Sequence, residues 1–278
     1  MIIELGSDRS LRQRYFTEAS FAHPAKLHLG LLAWLVERYT LPGQHIVDPM
    51  GGIGSTLYAA LLQRDVTIFD VEPAWLAEAH QNAARIHAAA GLFAGRMTVA
   101  QRDARQPWGL SADVALFSPP YACDVARNSS GHGMDPEAVR RRLAKVSHNS
   151  KIWERALSGA AVGAQGALLM HYGKHPDQVG HFRGARYWEA MTAIYQRAHE
   201  ALQPGGLMLL VIKDHIVKGR RVCVATETAE RCAALGFTLV ERHARKLTTF
   251  SLWQRRRREK GMPVIEEEDV IVLRKSGE

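Results

Sequence analysis

Along the first 120 residues, brief apolar runs alternate with longer stretches whose apolar residues recur at helical spacing. Segments 45–48, 66–69, 97–100 and 113–117 are short and rich in β-branched or aromatic residues, which predicts strands. Segments 55–63 and 73–90 carry the helical period, as does 24–39 (PAKLHLGLLAWLVERY), where Pro24 suits a first turn. Strand and helix taking turns predicts an α/β fold with a parallel sheet. The strands hold few alternating polar residues, as expected of a sheet covered on both faces.

The rhythm breaks over 122–185, which is polar, rich in Gly, His, Arg and Lys, and compatible with helices near 135–146 and 150–163. It resumes with a helix at 187–202, a QPGG turn at 203–206, a strand at 207–213, a helix at 226–235 and strands at 237–241 and 269–274. Between the last two strands lies RRRREKG, 255–261, read as a basic loop. The expected organisation is a first half of a core at 1–121, an inserted region at 122–185 and a second half at 186–278.

Composition narrows the classes. The 278 residues, 46% hydrophobic and 23% charged, suffice for one large α/β domain with insertions or for two small domains. No apolar run approaches the roughly 18–20 residues of a membrane span, and the N-terminal MIIELGSDRSLRQRYF lacks a signal-peptide core. A cytoplasmic protein without a membrane partner is expected. The 36 Lys and Arg against 28 Asp and Glu leave a net charge of +8, which favours polyanions and nucleic acid first. The three cysteines, Cys123, Cys223 and Cys232, fit no disulfide framework or zinc spacing and read as free thiols. His171, His175 and His181 lack a Cys or carboxylate to complete a metal site, so no metal is expected.

The loop after the first strand reads VDPMGGIGST, 47–56. Strand, glycine-rich turn and helix bind nucleotide-like ligands at the end of a parallel sheet. The pattern is not G-x-G-x-x-G, and no Lys-Ser/Thr follows as in a P-loop. Asp48 would repel a pyrophosphate but could pair with an ammonium group, which points to a cationic ligand such as S-adenosylmethionine. Asp70 closes the second strand, where an acid can accept from ribose hydroxyls, with Glu72 as a nearby substitute. Asp103, after the third strand, could accept from an adenine amine. After the fourth strand comes Ser118-Pro119-Pro120-Tyr121, a stiff stop that can hold acceptors in place.

FAHPAK at 21–26, DPMGGIGST at 48–56 and SPPY at 118–121, in that order, resemble the exocyclic-amino DNA methyltransferases. Residues 187–214 resemble the helix–turn–strand of that family's second half. The resemblance implies a class I, Rossmann-like methyltransferase with a mostly parallel seven-stranded sheet, helices on both faces and an inserted target-recognition region. It implies S-adenosylmethionine as cofactor, held by Phe21, His23, Asp48, Pro49, Gly51, Gly52, Gly54, Ser55, Thr56, Asp70, Glu72 and Asp103. Ser118 would accept from, or donate near, the target amine and the Pro119 carbonyl would accept from it. Pro119 and Pro120 would fix the turn, and Tyr121 would stack on a flipped-out base.

SPPY in place of DPPY associates with cytosine N4 more than with adenine N6. Methylation at cytosine C5 is set aside, because Tyr121 follows Pro120 where a cysteine nucleophile would be needed. Double-stranded DNA is the implied partner, with a second copy of the chain and a companion restriction endonuclease as further candidates. Arg140, Arg141, Arg142, Lys145, Lys151, Arg155 and Arg255, Arg256, Arg257, Arg258 are the expected phosphate or base-edge contacts. Adenine-N6 methylation, an RNA amino-methyltransferase and a catalytically silent nucleic-acid-binding protein are the competing readings.

Overall fold

A computed structural model describes residues 1–23, 25–120, 173, 175–217, 219–247 and 252–277. The helices expected at 135–146 and 150–163 fall outside these. The strands are β1 (Ile2–Ile3), β2 (His45–Asp48), β3 (Asp65–Asp70), β4 (Met97–Gln101), β5 (Ala112–Phe117), β6 (Leu202–Ile212), β7 (His215–Val217), β8 (Arg220–Val222), β9 (Phe237–Lys246) and β10 (Glu267–Lys275). The helices are α1 (Arg9–Tyr15), α2 (Leu29–Tyr39), α3 (Pro73–Ala90), α4 (Gly184–Ala201), α5 (Val224–Ala234) and α6 (Leu252–Glu259).

Eight strands form one sheet in the order β1-β9-β10-β6-β5-β2-β3-β4, and β7 and β8 pair as a separate hairpin. From β4 through β6 neighbours run parallel, while β10 is antiparallel to both β6 and β9. The seven expected strands are thus joined at the edge by the two-residue β1, parallel to β9.

The central strands are buried on both faces, and their residues alternate between two cores. Val47, Ala115, Phe117, Met208, Leu210, Ile212 and Ile271 face α4 and α5. Ile46, Val114, Leu116, Leu209, Val211 and Val270 face α2 and α3. Each large side chain so buried contributes roughly 1.5–3 kcal/mol. α3 is Ala-rich, begins with Pro at its first turn and stops at Gly91, which takes φ 59°.

Four local differences from the sequence reading have physical causes. The 203–206 turn lies within β6: Ala112 pairs with Leu202 and Val114 with Leu207, so the QPGG residues bulge from the ladder. β9 runs to Lys246, past the charged residues that suggested an earlier end. Its charges are paired across strands, Arg242 with Asp269 at 2.9 Å and Arg245 with Glu268 at 2.5 Å. The segment after the glycine loop, Ser55–Leu62, is a 3₁₀-helix rather than an α-helix, ended by Gln63 at φ 65°. The basic segment 255–258 lies on helix α6 and not in a loop, since arginine is a good helix former and only Glu259 is acidic there.

Candidate active site

Parallel topology places the β2, β3 and β5 ends at one sheet edge, and an open cleft of about 580 Å³ lies there. His23, Asp48, Gly51, Gly52, Ser55, Thr56, Asp70, Ser118 and Pro120 line it together. Residues 70 positions apart in sequence therefore share one wall because they follow neighbouring strands.

The glycines answer mainly to the fold. Gly51 donates to the Phe69 carbonyl at 2.9 Å, and a Cβ on it would lie 2.8 Å from the Ile68 Cβ. Gly52 has φ 51°, and a Cβ there would lie 2.9 Å from His23 Nε2. Gly54, at φ 79°, would strike Leu57. Gly52 and Gly54 take positive φ and Gly51 does not, and the close approaches of all three are to the chain's own side chains.

Asp48 is 5% exposed, and its carboxylate accepts from Met50 N at 3.0 Å and from the Thr56 hydroxyl. Burial pushes its pKa up to about 7, with the nearby Asp70 charge acting in the same direction. Asp70 is 8% exposed and accepts from Gly52 N and Glu72 N, both at 2.9 Å. Burial raises its pKa as well. Neither carboxylate has an ion-pair partner among the described residues. Two adjacent buried acids without a counter-charge make a wall that favours a cation.

His23 lines the cleft beside Gly52. It stacks edge-on against Trp75, with ring centroids 4.7 Å apart, and its Nδ1 bonds the Ala25 backbone. Burial, then the Lys26 charge, lower its pKa to about 3, so it is neutral at physiological pH. Lys26 donates to the Phe21 carbonyl at 3.1 Å and to the His23 carbonyl, stapling the turn. Arg12, buried in α1, donates to Ser55 Oγ at 3.2 Å and to the Leu27 carbonyl at 2.7 Å, with Asp8 at 2.9 Å as its counter-ion. The sequence reading missed Arg12, whose flanking residues form no motif. Phe21 is half-buried on the 3₁₀ turn Ala19–Ala22 and lines neither this cleft nor the recess beside it.

That recess, about 270 Å³, is lined by Pro49, Asp70, Arg102, Asp103 and Gln178 among others. Arg105 binds both Asp103 oxygens, at 2.6–3.0 Å, and reaches Asp177 at 2.6 Å. Burial pushes the Asp103 pKa up, but the Arg105 bonds outweigh it and hold it below the ordinary value. Asp103 therefore enters the recess as half of an ion pair and not as the bare acceptor expected. Glu72 accepts from His175 N at 3.0 Å and ties the returning chain to β3 instead of lining the cleft. Gln178 borders both spaces.

At the end of β5, the Ser118 hydroxyl donates to the Val211 carbonyl at 2.9 Å. Its proton is committed, and its lone pairs remain as acceptors at the cleft. The Pro120 carbonyl accepts from Tyr187 at 2.9 Å, which leaves the Pro119 carbonyl without a partner among the described residues. Beyond the turn is a second recess of about 220 Å³, lined by Pro119, Pro120, Tyr187, Tyr195, Lys213, Val224 and Thr228 among others. In the sequence Tyr187 and Tyr195 were indistinguishable from core positions of a helix.

No protein-family model and no curated protein sequence matches the chain. Among solved structures, a SAM-dependent methyltransferase from Methanosarcina mazei is similar with TM-score 0.51 at 13% identity, over 91% of this chain and 100% of that one. The chain has the class I methyltransferase fold. The 4+2 cyclase SpnF is similar at TM-score 0.51 and 14% identity, over 91% of this chain and 85% of that one. TrmN from Thermus thermophilus is similar at TM-score 0.46 and 17% identity, over 94% of this chain, which spans 52% of that protein's length. A cyclase with the same class I fold shows that strand order leaves the reaction open, and the site must decide it.

Tyr121, Arg140, Arg141, Arg142, Lys145, Lys151 and Arg155 lie outside the described residues, as do Cys123 and His171. Arg255–Arg258 are on α6 and are not among the residues that line the cleft. Cys223 is exposed and Cys232 buried, both free. Among the described residues no His, Cys, Asp or Glu group is placed to hold a metal, and no helix is long and apolar enough to cross a membrane.

Proposed function

We propose that the chain is an S-adenosylmethionine-dependent DNA methyltransferase acting on the exocyclic N4 amine of cytosine. The observation that carries this reading is the Ser118–Pro119 acceptor pair, which stands between an acid-walled cleft and an aromatic recess. The residues fit the cofactor: Asp48 and Asp70 favour a ligand that carries sulfonium and ammonium charge, and a second recess adjoins the cleft at Asp70. When bound, the cofactor supplies a methyl group already activated by the sulfonium, so no covalent enzyme intermediate is needed.

The chain's own residues handle the amine. Cytosine N4 is a weak nucleophile because its lone pair is delocalised into the ring. Ser118 Oγ and the Pro119 carbonyl accept from its two N–H bonds, which draws the nitrogen toward tetrahedral geometry and aims its lone pair at the cleft. The Val211 carbonyl orients Ser118, and Tyr187 orients the turn through Pro120. The flipped ring meets the turn on the side bordered by the prolines and Tyr187. The test is incubation with methyl-labelled S-adenosylmethionine and unmethylated DNA or total RNA, followed by nucleoside mass spectrometry. N4-methylcytosine in DNA is expected, and N6-methyladenine or label confined to RNA would overturn the substrate assignment.

A further inference from the structure

We infer that the β7–β8 hairpin and helix α6 form a contact surface for the phosphate backbone of duplex DNA beside the acceptor turn. The inference rests on the proposed function for the identity of the polyanion. Sheet order supplies the placement. Strands β5, β6 and β10 are neighbours, with Asp269 of β10 opposite Ile212 at the end of β6. Ser118–Pro120 follow β5, the hairpin follows β6, and α6 lies in the connection from β9 to β10, whose neck is closed by Leu247 N on the Glu266 carbonyl at 2.8 Å. All three therefore emerge at the same end of the sheet, from strand ends that lie within three spacings, or about 15 Å, of β5.

The hairpin is anchored. Asp214, buried at the end of β6, accepts from Arg221 Nε at 2.8 Å and from Ala225 N at 3.2 Å, which ties the hairpin to the start of α5. Arg220, adjacent on the strand, points to the other face and is exposed. On α6, Arg257 donates to the Pro263 carbonyl at 3.2 Å and Arg258 pairs with Glu266 at 3.3 Å. Arg255 and Arg256 are exposed. Arg220, Arg255 and Arg256 thus have no acidic partner among the described residues, on elements that share the edge of the acceptor turn. Guanidinium groups match phosphate geometry. A base drawn from a duplex into the turn leaves its neighbours paired, so the backbone on either side must pass over this edge.

The test is the salt dependence of binding to a short labelled DNA duplex, for the full chain and a triple variant carrying Arg220→Gln, Arg255→Gln and Arg256→Gln. The slope of log affinity against log salt should shrink by about 2–3 in the triple variant. Cofactor affinity should be unchanged, and Arg96→Gln, which removes an exposed charge just before β4 at the opposite edge, should leave the slope as it was. Should the triple variant fail to fold, Arg220→Gln alone carries the test with an expected change of about 1. An unchanged slope in a folded variant, an equal change in the Arg96 control, or a loss confined to RNA would overturn the surface. Duplex binding that depends on these arginines without methyl transfer would sink the proposed function and leave the surface standing. DNA methylation with an unchanged slope would do the reverse.

Discussion

On one side of the Pro119–Pro120 turn, polar groups of the cleft are tied to the chain: Asp48 to Met50 and Thr56, Asp70 to Gly52 and Glu72, Asp103 to Arg105. On the other side, the edge carries Arg220, Arg255 and Arg256, exposed and without acidic partners among the described residues. The first side is pre-organised by short-range bonds and asks only for a cation to offset two buried carboxylates. The second presents cations to solvent, open to an external polyanion. A small ligand needs a finished pocket, whereas a long polymer can be met by a distributed field.

The sharpest way to break that contrast is at the turn that divides the two sides. Ser118→Ala should lower methyl transfer by about 10²–10³-fold while leaving cofactor affinity intact. Activity near that of the parent would remove Ser118 from the chemistry. Gly52→Ala tests the claim that the cofactor side is packed against itself. With φ 51° and His23 Nε2 at 2.9 Å from the new Cβ, it should cost about 1–3 kcal/mol of stability, and an unshifted denaturation midpoint would contradict that packing.

Asp48 sharpens the electrostatic half of the comparison. A cation binds the ionised carboxylate, so affinity for S-adenosylmethionine should weaken as pH falls below about 7, approaching tenfold per pH unit. Asp48→Asn should flatten that profile. The sign for stability is opposite. Burial raises the folded pKa from 3.8 to about 7, so ligand-free protein should lose stability as pH climbs between those values. The Asn variant should lack that component, and thermal scans across pH would show whether it does. The smallest effect is expected of Tyr187→Phe. Losing the 2.9 Å bond to the Pro120 carbonyl should cost about 0.5–1.5 kcal/mol and slow turnover a few-fold, without moving cofactor affinity.

Much of the first side was legible in the sequence because its determinants are local. β2 and β3 are short apolar runs that end in Asp48 and Asp70, β5 is one that Ser118 follows, and parallel topology brings such ends together. The reasons for particular residues were less legible. The resemblance placed Gly51 and Gly52 among the cofactor's contacts, yet the neighbours that a side chain there would strike are Ile68 and His23, set by tertiary packing. Arg12 reaches Ser55 from 43 positions away, a contact no local pattern encodes. β9 was cut short because its charges looked like a loop until β10 supplied partners. The four arginines at 255–258 were read by charge alone, which conceals the helix they form.

The most direct test of the central claim is identification of the modified nucleoside after the purified chain meets methyl-labelled S-adenosylmethionine and unmethylated DNA. The account predicts labelled N4-methylcytosine that disappears with Ser118→Ala. Labelled N6-methyladenine, label in RNA alone, or cofactor binding with no transfer to either nucleic acid would contradict it.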